Sequence, residues 1–261
     1  MLLGILIWLF TIVTTIAFAS RHWWFPESAS SHGETLDDQF VVTLVVTGIV
    51  FIVAQIGLGW VLLRYRDTGN NQAVYSHGNN KLEIIWTALT GIVFFLMVLP
   101  GQKIWADLHL KPAPEDAFQI EVTGQQFAWN IRYPGPDGQF GVVKPELIND
   151  SAGNPLGLDF DDPAAQDDLV LPTMAIPVNR PIELLLRSKD VTHAFSVREL
   201  RIKQDTVPGL LIPLRFTAIK TGSFEIACAE LCGMGHHRMR SFIEVLTEDA
   251  YRDWLREMAE E

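Results

Sequence analysis

Apolar residues follow two regimes along this 261-residue chain. Up to about residue 100 they come in long unbroken blocks, and beyond it in short alternating runs. Three blocks carry no charge: roughly Leu2 to Ala19, Phe40 to Leu63 and Ile84 to Pro100. At about 1.5 Å of rise per residue, each approaches or exceeds the thickness of a bilayer's hydrocarbon core. Soluble helices alternate in polarity and these do not, so three membrane-spanning helices are predicted. The sequence around Ala17 and Ala19 resembles a signal-peptidase site, but no basic residue precedes the first block. The expectation is a retained first helix rather than a cleaved leader.

The flanking loops orient these helices. Arg64, Arg66 and Lys81 lie between the second and third blocks, whereas the first loop has Arg21 against Glu27, Glu34, Asp37 and Asp38. Basic loops stay inside, so the first loop and everything after the third helix face outward. Trp23, Trp24, Trp60, Tyr65, Trp86 and Trp105 fall near the block ends, where interfacial aromatics sit.

Past residue 102 the period changes to two. Phe118 to Thr123, Pro181 to Leu186, Phe224 to Cys228 and Ser241 to Leu246 alternate as strands do, and glycine and proline separate them. Pro134 to Gly138 is a strong turn signal. Several such strands in about 140 residues suggest a Greek-key β-sandwich. The polar, aspartate-rich stretch from Pro145 to Asp168 is expected to be a long surface loop, and Glu248 to Met258 a short amphipathic helix. The expected division is 1–20 for the extra transmembrane helix, 36–105 for a helical hairpin, 106–247 for the β domain and 248–261 for the terminal helix.

Composition narrows the function. Mean hydropathy is +0.17 and the pI about 5.1. Trp105 to Glu261 holds 15 basic and 25 acidic residues, a surface unsuited to nucleic acid. Two cysteines, Cys228 and Cys232, are too few for a disulfide-dense scaffold, and no C-x-x-C-H motif offers covalent haem attachment.

Those cysteines open the informative stretch, C-x3-C-x3-H-x2-M, from Cys228 through Cys232 and His236 to Met239. His193 lies 35 residues before Cys228, at the start of an expected strand. Thiolate, imidazole and thioether make a soft donor set that suits copper better than magnesium or calcium. A plain disulfide and a Cys2His2 zinc site both leave Met239 unexplained. A mononuclear blue-copper site leaves one cysteine idle. Two thiolates bridging two copper ions, one histidine on each, with Met239 and a backbone carbonyl as weak ligands, use every donor.

These residues resemble subunit II of cytochrome c oxidase. Asp190 to Phe195 resembles the family's first-histidine strand, and Lys203 to Gly209 the turn after it. Leu82 to Thr87 resembles the start of its last transmembrane helix. The resemblance runs from about Phe40 to the C-terminus. It implies a membrane-anchored, cupredoxin-like Greek-key β-sandwich holding the dinuclear Cu(A) centre, behind N-terminal transmembrane helices. Three helices are expected where the family's usual hairpin has two. Cys228 and Cys232 would bridge; His193 and Met239 would bind one copper, and His236 and the Glu230 carbonyl the other. The Glu230 side chain would reach a magnesium ion shared with subunit I. Glu83 would stand at the cytoplasmic mouth of a proton path, a place where a helix-start glutamate is also favoured by the macrodipole. His237 matches no ligand position, and Met234 is expected to pack.

The family's tryptophan that receives electrons is Phe127 here, while Trp129 is kept. Alternation would put both on one strand face, as candidates for accepting electrons or simply for packing. A phenylalanine lacks the indole N–H, so a membrane-tethered or complex-bound c-type cytochrome, even a supercomplex, fits better than a freely docking one. The resemblance places the chain in a bacterial inner (cytoplasmic) membrane, with the copper domain on the periplasmic side and other oxidase subunits beside it. Two alternatives remain at this point. One is a quinol oxidase subunit, whose branch has lost the ligands present here. The other is an anchored sandwich for assembly or copper delivery.

Overall fold

The computed structural model describes residues 2–20, 25–67, 69, 72 and 75–260, with side chains to residue 258. It divides into two compact units: Met1–Trp24 with Thr35–Ile104, and Phe25–Glu34 with Trp105–Glu261. Trp23 and Trp24 lie outside the described residues.

Three helices carry the apolar blocks: α1 (Leu2–Ala19), α2 (Gly33–Arg64) and α3 (Asn80–His109). The last two outrun their uncharged stretches at both ends. α3 continues through Pro100, which membrane helices tolerate better than soluble ones. All three are long and apolar enough to cross a membrane. α1 rests on α2 through small residues. A Cβ at Gly59 would lie 2.2 Å from Trp8 Nε1, and one at Gly4 would lie 3.0 Å from the Gly59 carbonyl oxygen. The Trp8 indole donates to the Ile56 carbonyl at 3.3 Å. Close approach through glycine is the usual way helices associate in lipid, where apolar burial gains nothing. Asn79 caps α3, its side-chain oxygen accepting from Leu82 N at 3.2 Å.

The second unit is a sandwich. Its strands are β1 (Phe118–Gln125), β2 (Ala128–Tyr133), β3 (Leu169–Leu171), β4 (Met174–Pro177), β5 (Pro181–Ser188), β6 (His193–Val197), β7 (Ile202–Thr206), β8 (Ile212–Thr217), β9 (Gly222–Cys228) and β10 (Arg240–Leu246). One sheet runs β3-β2-β1-β5-β8 and the other β4-β10-β9-β6-β7. β1 pairs with β5 in parallel and β4 with β10 in parallel; the other pairs are antiparallel. Between the sheets lie Ile120, Val122, Trp129, Ile131, Leu184, Phe195, Val197, Ile226, Ile243 and Val245, all buried. The Tyr133 hydroxyl stitches the layers, donating to the Ala175 carbonyl at 3.0 Å and accepting from Ala175 N at 2.7 Å. Burial drives that phenol far above its ordinary pKa, so it stays neutral.

β1 is buried on both faces, which alternation alone does not give. Glu121 and Thr123 point away from the core yet are 5% and 6% exposed. The cause is the stretch expected to be a surface loop. It forms short 3-10 turns at Pro145–Leu147 and Asp150–Ala152 and the one-turn helix α4 (Pro163–Gln166), and it buries Leu156, Leu158 and Ala165. Asp168, at its end, pairs with fully buried Arg132, which also lies 3.6 Å from Glu121. Asp168 accepts from Gly141 N at 2.9 Å as well. The charge run thus holds one half of a buried ion pair, not only solvated carboxylates.

Two further segments close the unit. Helix α5 (Glu248–Glu260) lays Tyr251 and Trp254 on Phe118 and Tyr133, with ring centroids 5.4–6.0 Å apart. The segment Phe25–Glu34 also joins it. Ala29 N donates to the Glu199 carbonyl at 2.7 Å, Ser31 N to the Thr217 carbonyl at 3.0 Å, and the Ser30 hydroxyl to the Leu200 carbonyl at 2.7 Å. Residues 25–34 are therefore part of the same compact unit as the sandwich.

Removing one partner of a buried pair leaves an uncompensated charge. Asp168→Ala is expected to cost about 3–5 kcal/mol in chemical unfolding of the C-terminal unit. A loss below ~1 kcal/mol would mean that Glu121 alone neutralises Arg132.

Candidate metal centre

Three segments meet at one end of the sandwich. β6 opens with His193, whose register partner on β7 is Thr206. The loop from β9 to β10 carries Cys228 to Met239, and its neck is closed by Cys228 N donating to the Met239 carbonyl at 3.1 Å. The turn between β1 and β2 supplies Gln126 and Phe127. Ala229 N donates to the Ala194 carbonyl at 2.9 Å, tying the start of the loop to β6.

The sequence-predicted donors converge. Cys228 Sγ and Cys232 Sγ are 3.8 Å apart. That is far beyond the ~2.05 Å of a disulfide. His193 Nδ1 lies 4.0 Å from the Cys228 sulfur, and His236 Nδ1 lies 3.7 Å from the Cys232 sulfur. The Met239 thioether is 3.7 Å from Cys232 Sγ. The Glu230 carbonyl oxygen is 3.1 Å from Cys228 Sγ, while the Glu230 side chain faces outward. His193, Cys228, Cys232 and Met239 are all less than 10% exposed, and His236 is half-buried. The ligand atoms of His193, Cys228 and Cys232 all fall within 4.8 Å of one another.

A soft ion about 2.3 Å from a thiolate sulfur fits between sulfurs at this spacing, and each sulfur has its own imidazole nitrogen. The donor set therefore suits copper. Without a cation, burial first, then the neighbouring Cys228, pushes the Cys232 thiol up to about 11. A bound ion must supply the charge that makes it a thiolate.

The surroundings orient the donors. His193 turns its other nitrogen, Nε2, to Asp190 Oδ1 at 2.8 Å, which leaves Nδ1 free to bind. Burial opposes ionisation of Asp190, but bonds from Gln126 N, His193 and Val191 N outweigh it and hold the carboxyl below its usual pKa. Gly124 lets the chain approach the ring, since a Cβ there would lie 2.9 Å from His193 Cδ2. The Gln126 amide donates to the Cys232 carbonyl at 2.6 Å. Asp190 stands three residues before the ligand histidine, a spacing that is a usable sequence signal for its role. Nothing in the sequence marked Gln126.

Two expectations need correction. Phe127 does not share a strand face with Trp129. It lies in the turn, 37% exposed, with its ring against Gly235, where a Cβ would sit 2.3 Å from Phe127 Cδ2. Trp129 is in the core, edge-on to His193 with centroids 6.0 Å apart, and its indole N–H finds no partner among the described residues. Met234 does not pack; it is 95% exposed, beside Leu231 at 78%. His237 is exposed. Glu83 belongs to the other unit, exposed in the first turn of α3.

Comparison with known proteins gives these features a family. A model described as "Cytochrome C oxidase subunit II, periplasmic domain" matches residues 118–246, and one described as its transmembrane domain matches residues 18–104. The alternative cytochrome c oxidase subunit 2 of Bradyrhizobium diazoefficiens is 36% identical over 257 residues, covering 98% of this chain and 91% of that one. Cytochrome c oxidase subunit 2 of Thermostichus vulcanus is 29% identical over 283 residues, covering 96% and 85%. A solved periplasmic domain of cytochrome oxidase subunit II (CoxB) from Bradyrhizobium japonicum is 28% identical, covering 57% of this chain and 98% of that one, at a TM-score of 0.42. With a relative more than one-third identical along nearly its whole length, and both halves matched by the same family's models, the chain belongs to the cytochrome c oxidase subunit II family.

Proposed function

We propose that this chain holds two copper ions as a Cu(A) centre, accepts electrons from a c-type cytochrome and passes them to the haem of subunit I. Oxygen is reduced to water there, with proton pumping. The observation that carries the reading is the pair of buried sulfurs 3.8 Å apart, each with its own imidazole nitrogen. Cys228 and Cys232 would bridge, His193 and Met239 would serve one ion, and His236 and the Glu230 carbonyl the other. When bound, copper supplies one-electron redox chemistry. The chain's part is to keep that chemistry cheap in reorganisation. Asp190 fixes the His193 tautomer, the sandwich excludes water from four of the donors, and the two sulfurs would share the charge change. Deep burial of the donors suits a resident cofactor better than metal held for delivery.

The remaining assignments follow the same reading. Glu230, facing outward, would hold magnesium with subunit I. The domains divide at 1–20, 36–105, 106–247 and 248–261, in a bacterial inner membrane with the sandwich on the periplasmic side. Phe127, exposed over the ligand loop, would receive electrons, and Trp129 would support His193 from the core. The donor would be membrane-tethered or held in a supercomplex. Glu83, at the start of α3, would take up protons.

Metal analysis and EPR test the centre directly. Two coppers per chain and a delocalised mixed-valence signal are expected, both lost in Cys228→Ser and Cys232→Ser. One copper with four-line hyperfine structure, or zinc alone, would overturn it. In the intact oxidase, Glu230→Gln should lower bound magnesium and leave the copper signal in place.

Phe127→Ala is expected to slow reduction of the centre by the native c-type cytochrome, roughly tenfold or more if the ring's contact is worth about 1.4 kcal/mol, with the copper spectrum unchanged. An unaltered rate would remove Phe127 from the path. Recovery of the oxidase with no tightly bound c-type cytochrome would count against a tethered donor.

Glu83→Gln should slow proton uptake during turnover while electron transfer into copper stays at the wild-type rate. Equal pumping in both proteins would return Glu83 to a helix-start role.

A further inference from the structure

We infer that Gln126 is a positioning residue, a clamp that sets the spacing between the two ligand-bearing segments without touching a metal itself. The inference rests on the copper reading above and concerns how that site is held.

The two segments come from distant parts of the chain. At the Cys228 end they are joined by sheet structure: Phe195 is paired with Cys228, and Ala229 N donates to the Ala194 carbonyl at 2.9 Å. At the Cys232 end the loop has left the sheet. Its internal bonds there are local turns, His236 N to the Gly233 carbonyl at 3.1 Å and Met239 N to the His236 carbonyl at 3.2 Å. Such turns shape the loop but do not fix its distance from His193.

Gln126 supplies that link with two separate groups. Its side-chain amide donates to the Cys232 carbonyl at 2.6 Å, and its backbone N–H donates to Asp190 Oδ2 at 2.7 Å. Asp190 in turn holds His193 Nε2 at 2.8 Å through its other oxygen. A chain of three hydrogen bonds thus runs from the residue carrying one sulfur to the imidazole that faces the other. The Phe127 ring, next in the chain, seats the same turn on Gly235. Gln126 itself is exposed, so the bond is not a by-product of core packing. Supporting bonds of this kind orient donors, and losing one typically costs about 10–100-fold in metal affinity.

The test compares Gln126→Met and Gln126→Glu with wild type in the intact oxidase. Methionine matches the length and removes the N–H donor. Glutamate matches the shape but turns a carboxylate toward the Cys232 carbonyl. Expected results are a mixed-valence EPR signal that persists but broadens, and copper release to a chelator accelerated about 10–100-fold. Glutamate should exceed methionine, with the thermal unfolding midpoint of the copper-depleted protein unchanged in both. Wild-type EPR and release in both variants would overturn the clamp. So would equal effects of the two substitutions that track a loss of thermal stability, because that pattern belongs to packing. A wild-type protein without the mixed-valence signal overturns the copper reading itself, and the clamp with it.

Discussion

Two thiolates held close together inside a protein are an unstable arrangement unless a cation lies between them. Cys228 and Cys232 are buried, unbonded and 3.8 Å apart, and burial drives Cys232 toward its neutral form. Two buried thiolates side by side carry both a desolvation cost and mutual repulsion. The fold therefore favours a cation at one fixed place, between the two sulfurs. Much around it maintains that geometry: the closed neck of the ligand loop, the Asp190 contact that aims His193, and glycines where the chain must pass within touching distance of an aromatic ring.

That constraint explains why much of the site was legible in the sequence. Metal donors must recur at spacings that a short loop can bring together, so the motif from Cys228 to Met239 announces itself. Transmembrane blocks are equally plain, because lipid leaves no room for polar alternation. Of the ten strands among the described residues, β1, β5, β9 and β10 are legible as alternating runs, β2 through the alternation around Trp129, and His193 marks the start of β6. β3 and β4 are too short to show a period. β7 (Ile202–Thr206) places Lys203, Gln204 and Asp205 in its middle, which reads as loop.

What stayed hidden depends on contacts between distant segments. Asp168 looks like any other member of an acidic stretch until the fold brings it to Arg132, 36 residues earlier. Gln126 is an ordinary polar residue until its amide meets the Cys232 carbonyl, 106 residues later. Phe127 was misplaced for a different reason. Alternation was extended one residue too far, across a turn where the chain changes direction between β1 and β2. Periodicity holds only inside a strand, and it carries no information about where the strand stops.

The segment Phe25–Glu34 has a consequence for how this molecule is assembled. It runs into the first turn of the second helix, yet it supplies hydrogen bonds to backbone carbonyls at Glu199, Leu200 and Thr217. The β domain is therefore discontinuous along the chain, and its pieces come from both sides of a helical hairpin. Biogenesis must thread that hairpin through the bilayer and return the polypeptide to the original face before the sandwich can be finished. A soluble fragment cut just ahead of β1 would leave those three carbonyls without their native donors, so a faithful excised domain needs a graft of residues 25–34.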